Sequence, residues 1–272
     1  MTPPKITALG WLRVVLRGAA ILAVLIPCFL ALLLLRPVEA AFCGQNRPAT
    51  PYLTQLVCIW TCRILGLAAR VTGTPMTARG ACVANHSSWL DIFVLNAAAR
   101  IYFVAKSEVR DWGGIGWLAR ATGTVFVVRA RAAAARQQAQ LRDRLLAGHQ
   151  LVFFPEATST DSRRVLHFKS TPFAAFFAQE LRDELSVQPV SMVYVAPLGQ
   201  DPRFYGWWGD MGFGESLLWV LAQAPQGRVE VIYHPPLRVA DFEDRKALAQ
   251  AAETAVRTGW EARWEAQQET QV

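Results

Sequence analysis

The sequence predicts an α/β fold: a single catalytic domain with a mostly parallel central sheet flanked by helices, plus an N-terminal two-helix membrane anchor. Three observations predict it. Beyond Gly73, short apolar runs alternate with helical patterns, as strands joined by crossover helices do. Residues 18–35 form an uncharged, strongly apolar run of 18 residues, at the lower length limit for a membrane span. Polar residues able to do chemistry follow directly on three of the apolar runs, where ligand sites form in open α/β sheets.

The anchor comes first in the chain. Arg13 and Arg17 precede the apolar run and Arg36 follows it, while Pro27 sits inside and would kink a helix. No small-x-small site clearly ends the run, which disfavours a cleaved signal peptide. A second apolar segment, 52–71, is interrupted by Arg63 and suits an interface better than a span. A single span would leave one basic flank on the wrong side of the membrane. Two helices that enter one leaflet and return keep both flanks cytoplasmic. The expectation is therefore a monotopic anchor over residues 1–72 on the cytoplasmic face of the inner membrane, with a single span as the alternative. Residues 73–272 form the catalytic domain.

Within that domain the expected strands are 81–84, 101–105, 124–128, 151–154, 189–194 and 229–233. The expected helices are 89–99, 112–120, 132–146, 171–185 and 241–264. In the last helix Leu248, Ala252, Val256, Trp260 and Trp264 recur every four residues, an apolar stripe for the core or the membrane.

Composition narrows the partners. Apolar residues make up 53% of the 272, enough for a sizeable core, and Lys plus Arg exceed Asp plus Glu by 28 to 21. The excess is uneven, since residues 100–144 hold nine basic and three acidic side chains. Such a surface suits an anionic membrane, phosphate groups or an acidic carrier protein. No nucleic-acid-binding motif accompanies it. The five cysteines form no CxxC pair and share no ligand spacing with the four histidines, so no metal and no cofactor is expected.

The chemistry centres on Asn85-His86-Ser87-Ser88-Trp89-Leu90-Asp91. Ser88 and Asp91 fit a capping box, with Ser88 as N-cap and Asp91 at the third helical position. His86 then lies just outside a helix N-terminus, with Asp91 able to hold its ring, as a general base requires. A surface histidine beside an ordinary capping box is the alternative. Arg129 follows the run 124–128, and Glu156 follows Leu151-Val152-Phe153-Phe154-Pro155. If the three strands run parallel, base, guanidinium and carboxylate meet at one edge.

These residues also carry a resemblance. Asn85-His86-x4-Asp91, Gly123-x-x-Phe126-Val127-x-Arg129, Phe154-Pro155-Glu156-Ala157-Thr158 and Val187-x-Pro189-Val190 resemble, in order and spacing, the four blocks of the glycerolipid acyltransferases, typified by 1-acylglycerol-3-phosphate acyltransferase. The resemblance covers roughly residues 60–240 and implies a membrane-bound enzyme. Such an enzyme moves a fatty acyl group from acyl carrier protein or coenzyme A to a lysolipid hydroxyl. It implies His86 as base, Asp91 as its orienting partner, and Arg129, Glu156, Ala157, Thr158 and Ser159 as residues that position the acceptor. Lys106 would reach the head group or the donor's phosphates, or else begin a solvated helix. The thioester is already activated, so no protein nucleophile is needed, and there is no G-x-S-x-G elbow.

Two departures narrow the acceptor. Ala157 stands at the family's usual glycine, which costs little unless that backbone needs positive φ. Ser159 stands where an arginine usually follows the threonine, and phosphate acceptors favour bidentate arginine. The segment from Glu156 to Asp161, with Trp207-Trp208-Gly209-Asp210-Met211 and Lys106-Ser107-Glu108-Val109, resembles instead the branch that acylates lyso-ornithine lipid. Lysophosphatidic acid is the alternative acceptor. Asp210 would meet the ornithine amine or serve as a buried structural aspartate. A non-catalytic lipid-binding module would not need the base, and a thioester hydrolase would use water in place of the alcohol.

Overall fold

The computed structural model describes residues 6–128 and 134–271. In chain order the elements are α1 (Ala8–Cys43), α2 (Thr50–Leu65), β1 (Ala68–Thr72), β2 (Gly80–Ala84), α3 (Leu90–Ala98), β3 (Tyr102–Lys106), α4 (Gly113–Thr122), β4 (Val125–Val127), α5 (Ala134–Leu146), β5 (Leu151–Phe153), β6 (Ser186–Val195), α6 (Phe213–Ala222), β7 (Arg228–Tyr233), β8 (Leu237–Arg238) and α7 (Arg245–Gln271). The sheet has eight strands in the order β1-β7-β6-β2-β5-β3-β4, with β8 on β6. The run from β6 to β4 is parallel, and β7 and β8 pair antiparallel with β6.

Burial follows from the covering helices. β2 and β6 are buried along their whole length, as strands packed on both faces must be. Successive residues of β2 face opposite layers. Cys82 and Ala84 join Leu65, Leu90, Val94 and Trp219 on one side, while Ala81 and Val83 join Leu145, Phe173, Leu248 and Val256 on the other. The α7 stripe therefore faces the core: Leu248, Ala252, Val256 and Trp260 are all buried.

Three sequence expectations are corrected. The helix expected over 171–185 is a 3-10 helix, Thr171–Phe177, that gives way to turns before β6. At three residues per turn Phe173 and Phe176 lie above one another, and both rings pack on Phe153, at 5.3 and 5.8 Å. The segment 52–71 divides into helix α2 and strand β1. All five β1 residues are exposed, so no alternation marks the strand, yet it pairs in register with β7. The sheet thus begins before the pattern change at Gly73. The two helices expected to form an anchor differ. Among the described residues α1 alone is long and apolar enough to cross a membrane. α2 buries Val57, Cys58, Thr61, Cys62 and Leu65, part of that face packing in the same core layer as α3, and exposes Tyr52, Leu56 and Trp60 on another face.

Candidate active site

Chain direction brings the site together. β2 and β5 are parallel neighbours, so the turns that follow them, with His86 and Glu156, lie side by side at one sheet edge. Asn85 fixes the exit from β2: its amide donates to Met192 O at 2.9 Å and accepts from Met192 N at 2.8 Å. It therefore continues the pairing with β6 by one side chain. The next residues turn, and each is tied. His86 N donates to Glu156 Oε1 at 3.2 Å, Thr160 N donates to His86 O at 2.9 Å, and Trp207 N donates to Ser87 O at 2.9 Å.

Asp91 gathers the turn. It is fully buried, and its Oδ2 accepts from His86 Nδ1 at 2.8 Å, Ser87 N at 2.9 Å and Ser88 N at 3.1 Å. Its Oδ1 accepts from the Tyr194 hydroxyl at 2.7 Å. The expected capping box is corrected: the helix begins at Leu90 with Trp89 at its N-cap, so Asp91 stands at the second helical position and Ser88 lies before the cap. Asp91 makes the reciprocal bond to Ser88 N, but Ser88 Oγ accepts from Leu90 N at 3.3 Å rather than from Asp91 N. The His86 ring stacks on Phe154, with centroids 4.0 Å apart and planes 11° apart, and is 18% exposed. With Nδ1–H held by the carboxylate, Nε2 is the free acceptor, and no described residue hydrogen-bonds it. A ring so held can take a proton at Nε2 and share the resulting charge with Asp91.

Glu156 is 3% exposed. Its carboxyl is pushed up from an ordinary 4.5 to about 8, chiefly by burial, with the Asp91 charge adding to it. The backbone N–H groups of His86 and Leu166 and the Arg257 charge act the other way. A carboxyl raised in the folded state stabilises the fold fully below its unfolded value, and that contribution is lost as pH rises through about 8. Glu156→Gln keeps an acceptor for His86 N and removes the titration. The variant should lose less stability between pH of about 5 and 8, where one linked proton is worth up to about 1.4 kcal/mol per pH unit. Denaturant unfolding across that range checks it, and parallel slopes for the two proteins would exclude a protonated Glu156.

The other predicted residues are spread along the same edge. Lys106 ends β3 and pairs in register with Val127 at the end of β4. β4 lies three strands from β2, or about 14 Å at ~4.8 Å per strand. Arg129, just beyond it, lies outside the described residues. Thr158 is exposed and Ser159 half-buried. Ala157 has φ 61, so this turn does use the backbone for which glycine is suited. Left-handed φ costs a side-chain-bearing residue about 1–2 kcal/mol, and the added freedom of an unfolded glycine returns part of it. Ala157→Gly should therefore raise stability by about 0.5–1 kcal/mol, as thermal unfolding would show. Asp210 is exposed. His167 pairs with Glu253, and His234 pairs with Ser191.

Sequence reasoning missed Tyr194 and Thr160. Tyr194 sits in the apolar strand Ser191-Met192-Val193-Tyr194-Val195 and reads as a core aromatic. Only the pairing of β6 with β2 brings its hydroxyl to Asp91. Thr160 could be found only through the juxtaposition of the turns after β2 and β5.

A family model described as Acyltransferase matches residues 69–193. The chain is 53% identical over 257 residues to lyso-ornithine lipid O-acyltransferase of Rhodobacter capsulatus, covering 94% of this chain and 92% of that protein. It is 40% identical over 185 residues to a protein of the same name from Brucella abortus, covering 64% and 68%. It is 30% identical over 175 residues to 1-acyl-sn-glycerol-3-phosphate acyltransferase of Neisseria meningitidis, covering 64% and 66%. The crystal structure of the 1-acyl-sn-glycerophosphate (LPA) acyltransferase PlsC from Thermotoga maritima shares the fold. The TM-score is 0.55 at 21% identity, over 87% of this chain and 95% of that one.

Proposed function

This chain belongs to the acyltransferase family, and on that premise we propose that it transfers a fatty acyl group to the hydroxyl of lyso-ornithine lipid, with His86 as general base. The observation that carries the chemistry is the 2.8 Å contact of His86 Nδ1 with Asp91, which leaves Nε2 unpartnered among the described residues. Nε2 takes the acceptor's hydroxyl proton while that oxygen attacks the thioester carbonyl. The C–O bond forms, the C–S bond breaks, and the departing thiolate takes the proton from His86. Asp91 orients the ring and offsets its charge in between. Glu156 is buried beside the His86 peptide, so its part is to hold the turn. Thr158, Ser159 and Lys106 line the edge where an acceptor or the donor's phosphates would lie, and Arg129, outside the described residues, follows β4 in the sequence.

The acceptor reading rests on Ser159. A phosphate monoester is best met by planar guanidinium donors, and this chain has a half-buried serine at that place. The nearby Arg164 is already engaged by Asp161, at 2.8 Å. The two lyso-ornithine lipid enzymes above are also the more similar relatives. The second reading, lysophosphatidic acid, draws on the Neisseria relative. A missing charge-assisted bond is worth roughly 1.5–3 kcal/mol, or about one to two orders of magnitude in affinity. The expected result is a higher kcat/KM for lyso-ornithine lipid than for lysophosphatidic acid, narrowed or reversed in Ser159→Arg. Purified protein with labelled acyl carrier protein or acyl-coenzyme A and a panel of lysolipids tests acceptor and donor together. A clear wild-type preference for lysophosphatidic acid would move the assignment to the second reading.

The same reading places the chain on the cytoplasmic face of the inner membrane, held by one leaflet. Arg17 of α1 donates to Leu221 O and Gln223 O at the end of α6, at 2.8 and 2.6 Å. Glu39 of α1 accepts from Ala49 N and Thr50 N at the start of α2, at 2.6 and 2.9 Å. These anchor points lie about 33 Å apart along the helix. α2 and α6 contribute to one core layer, which favours a helix lying along it with its apolar face in the bilayer. The basic stretch 100–144 suits an acidic acyl carrier protein as donor.

A further inference from the structure

A second polar site lies at the opposite edge of the sheet. The loop between α1 and α2 folds over the starts of β3 and β5 and forms a wall of an open cavity of about 220 Å³, lined among others by Asn46, Arg47, Arg100, Tyr102 and His149. Tyr102 shares the register position of Leu151 and Ala81, at least five residues back from His86 along the strand direction, or about 16 Å. The cavity is therefore separate from the acyl-transfer edge.

Its lining is cationic and under-partnered. Guanidinium groups of Arg47, in the lining, and Arg144, outside it, lie 5.7 and 4.6 Å from the Tyr102 ring centroid, and Arg100 lies 4.3 Å from that of Tyr52 and donates to Gln55 Oε1 at 3.2 Å. Arg47 and Arg144 are fixed by bonds to Ala121 O and Gly123 O at the end of α4. Their Nε atoms remain buried without partners, as do both ring nitrogens of His149. The carboxylate whose field reaches Arg47 and Tyr102 is that of Glu39, and its oxygens are occupied by Ala49 N, Thr50 N and Thr50 Oγ1. Burial, then the charges of Arg144 and Arg47, hold the His149 imidazole down to about 4, so at neutral pH it offers one N–H and adds no charge. The Gln45 backbone lies close to that ring but makes no hydrogen bond of ordinary geometry with it. Buried donors without acceptors cost stability, and the group that fits several guanidinium N–H donors is a tetrahedral oxyanion.

We propose that this cavity binds a phosphate group through Arg47, Arg100 and His149. Its setting favours the phosphate of an anionic lipid head group. Tyr52 stands at the cavity rim and, with Leu56 and Trp60, forms an exposed row along α2 at helical spacing. A lipid with its head group in the cavity can lay its chain along that row. The site would then orient the enzyme on anionic membrane, independently of which lysolipid the catalytic edge accepts.

The test uses the full chain, purified in detergent with 13C-labelled histidine, and three probes: inorganic phosphate, vesicles of phosphatidylcholine, and vesicles of phosphatidylcholine with phosphatidylglycerol. Wild-type protein should bind the anionic vesicles more tightly than the neutral ones, and the His149 resonance should shift on binding. Arg47→Gln and Arg100→Gln should each lower that affinity about tenfold, while Arg136→Gln, on an exposed face of α5, should not. Arg47 also caps α4, so Arg100→Gln, whose side chain is exposed, is the variant free of that structural role. Saturable binding of inorganic phosphate with the same His149 shift, but no preference for anionic vesicles, would assign the site to a soluble phosphate compound and overturn the lipid source. The proposal fails if neither phosphate nor anionic vesicles move the His149 resonance. It fails equally if folded Arg100→Gln binds both as the wild type does.

Discussion

His86→Ala should lower acyl transfer by about two to four orders of magnitude while the chain stays folded, the usual cost of losing a positioned general base. Structure explains why activity and stability should separate. The contacts that hold this turn are made by the His86 backbone, to Glu156 Oε1 through its N and to Thr160 N through its O, and alanine keeps both. What leaves is the ring stacked on Phe154 and its bond to Asp91. The ring is partly exposed, so the cavity it vacates opens toward water and costs less than a closed one. Turnover of a labelled acyl donor, measured beside thermal unfolding, decides the matter. Near-normal turnover in folded His86→Ala protein would end the mechanism proposed here.

Much of this arrangement was legible because it is local. Asn85, His86 and Asp91 lie within seven consecutive residues, and a strand followed at once by a helix start leaves few ways to place them. The parallel run of strands also followed from pattern, since apolar runs linked through helices point to parallel strands, whereas the adjacency of β2 and β5 is given only by the folded sheet. What stayed hidden depends on contacts far apart in the chain. Tyr194 reaches Asp91 across 103 residues, and an aromatic in an apolar strand carries no mark of that role. β1 has neither alternation nor a buried face, so only its partner β7 makes it a strand. The stretch after Ser170 looked helical by composition, but Ala178 adopts extended backbone and the packing of Phe173 and Phe176 on Phe153 selects the tighter turn. The long apolar helix α1 was legible in the length of its uncharged run and its flanking charges. That Arg17 caps α6 and Glu39 caps α2 could not be read from a run of leucines.

Replacing Asp91 should separate its charge from its geometry. Oδ2 accepts three N–H groups and Oδ1 accepts the Tyr194 hydroxyl. In Asp91→Asn the amide oxygen can take the Oδ2 place and still accept all three. The amide nitrogen then faces Tyr194, whose hydroxyl can rotate to accept. Asparagine thus keeps the turn and the His86 tautomer but removes the negative charge that offsets the imidazolium. Losing a charge-assisted partner of about 3 kcal/mol in the transition state lowers kcat by about two orders of magnitude, with stability close to wild type. Asp91→Ala should be as inactive and also unstable. It strands Ser87 N, Ser88 N and the Tyr194 hydroxyl, all buried, at roughly 1–3 kcal/mol each where water cannot reach them. The pair is read by kcat on a saturating acceptor and by denaturant unfolding. Wild-type kcat in Asp91→Asn would mean that Asp91 serves the turn and not the proton transfer, and that His86 draws its basicity from elsewhere.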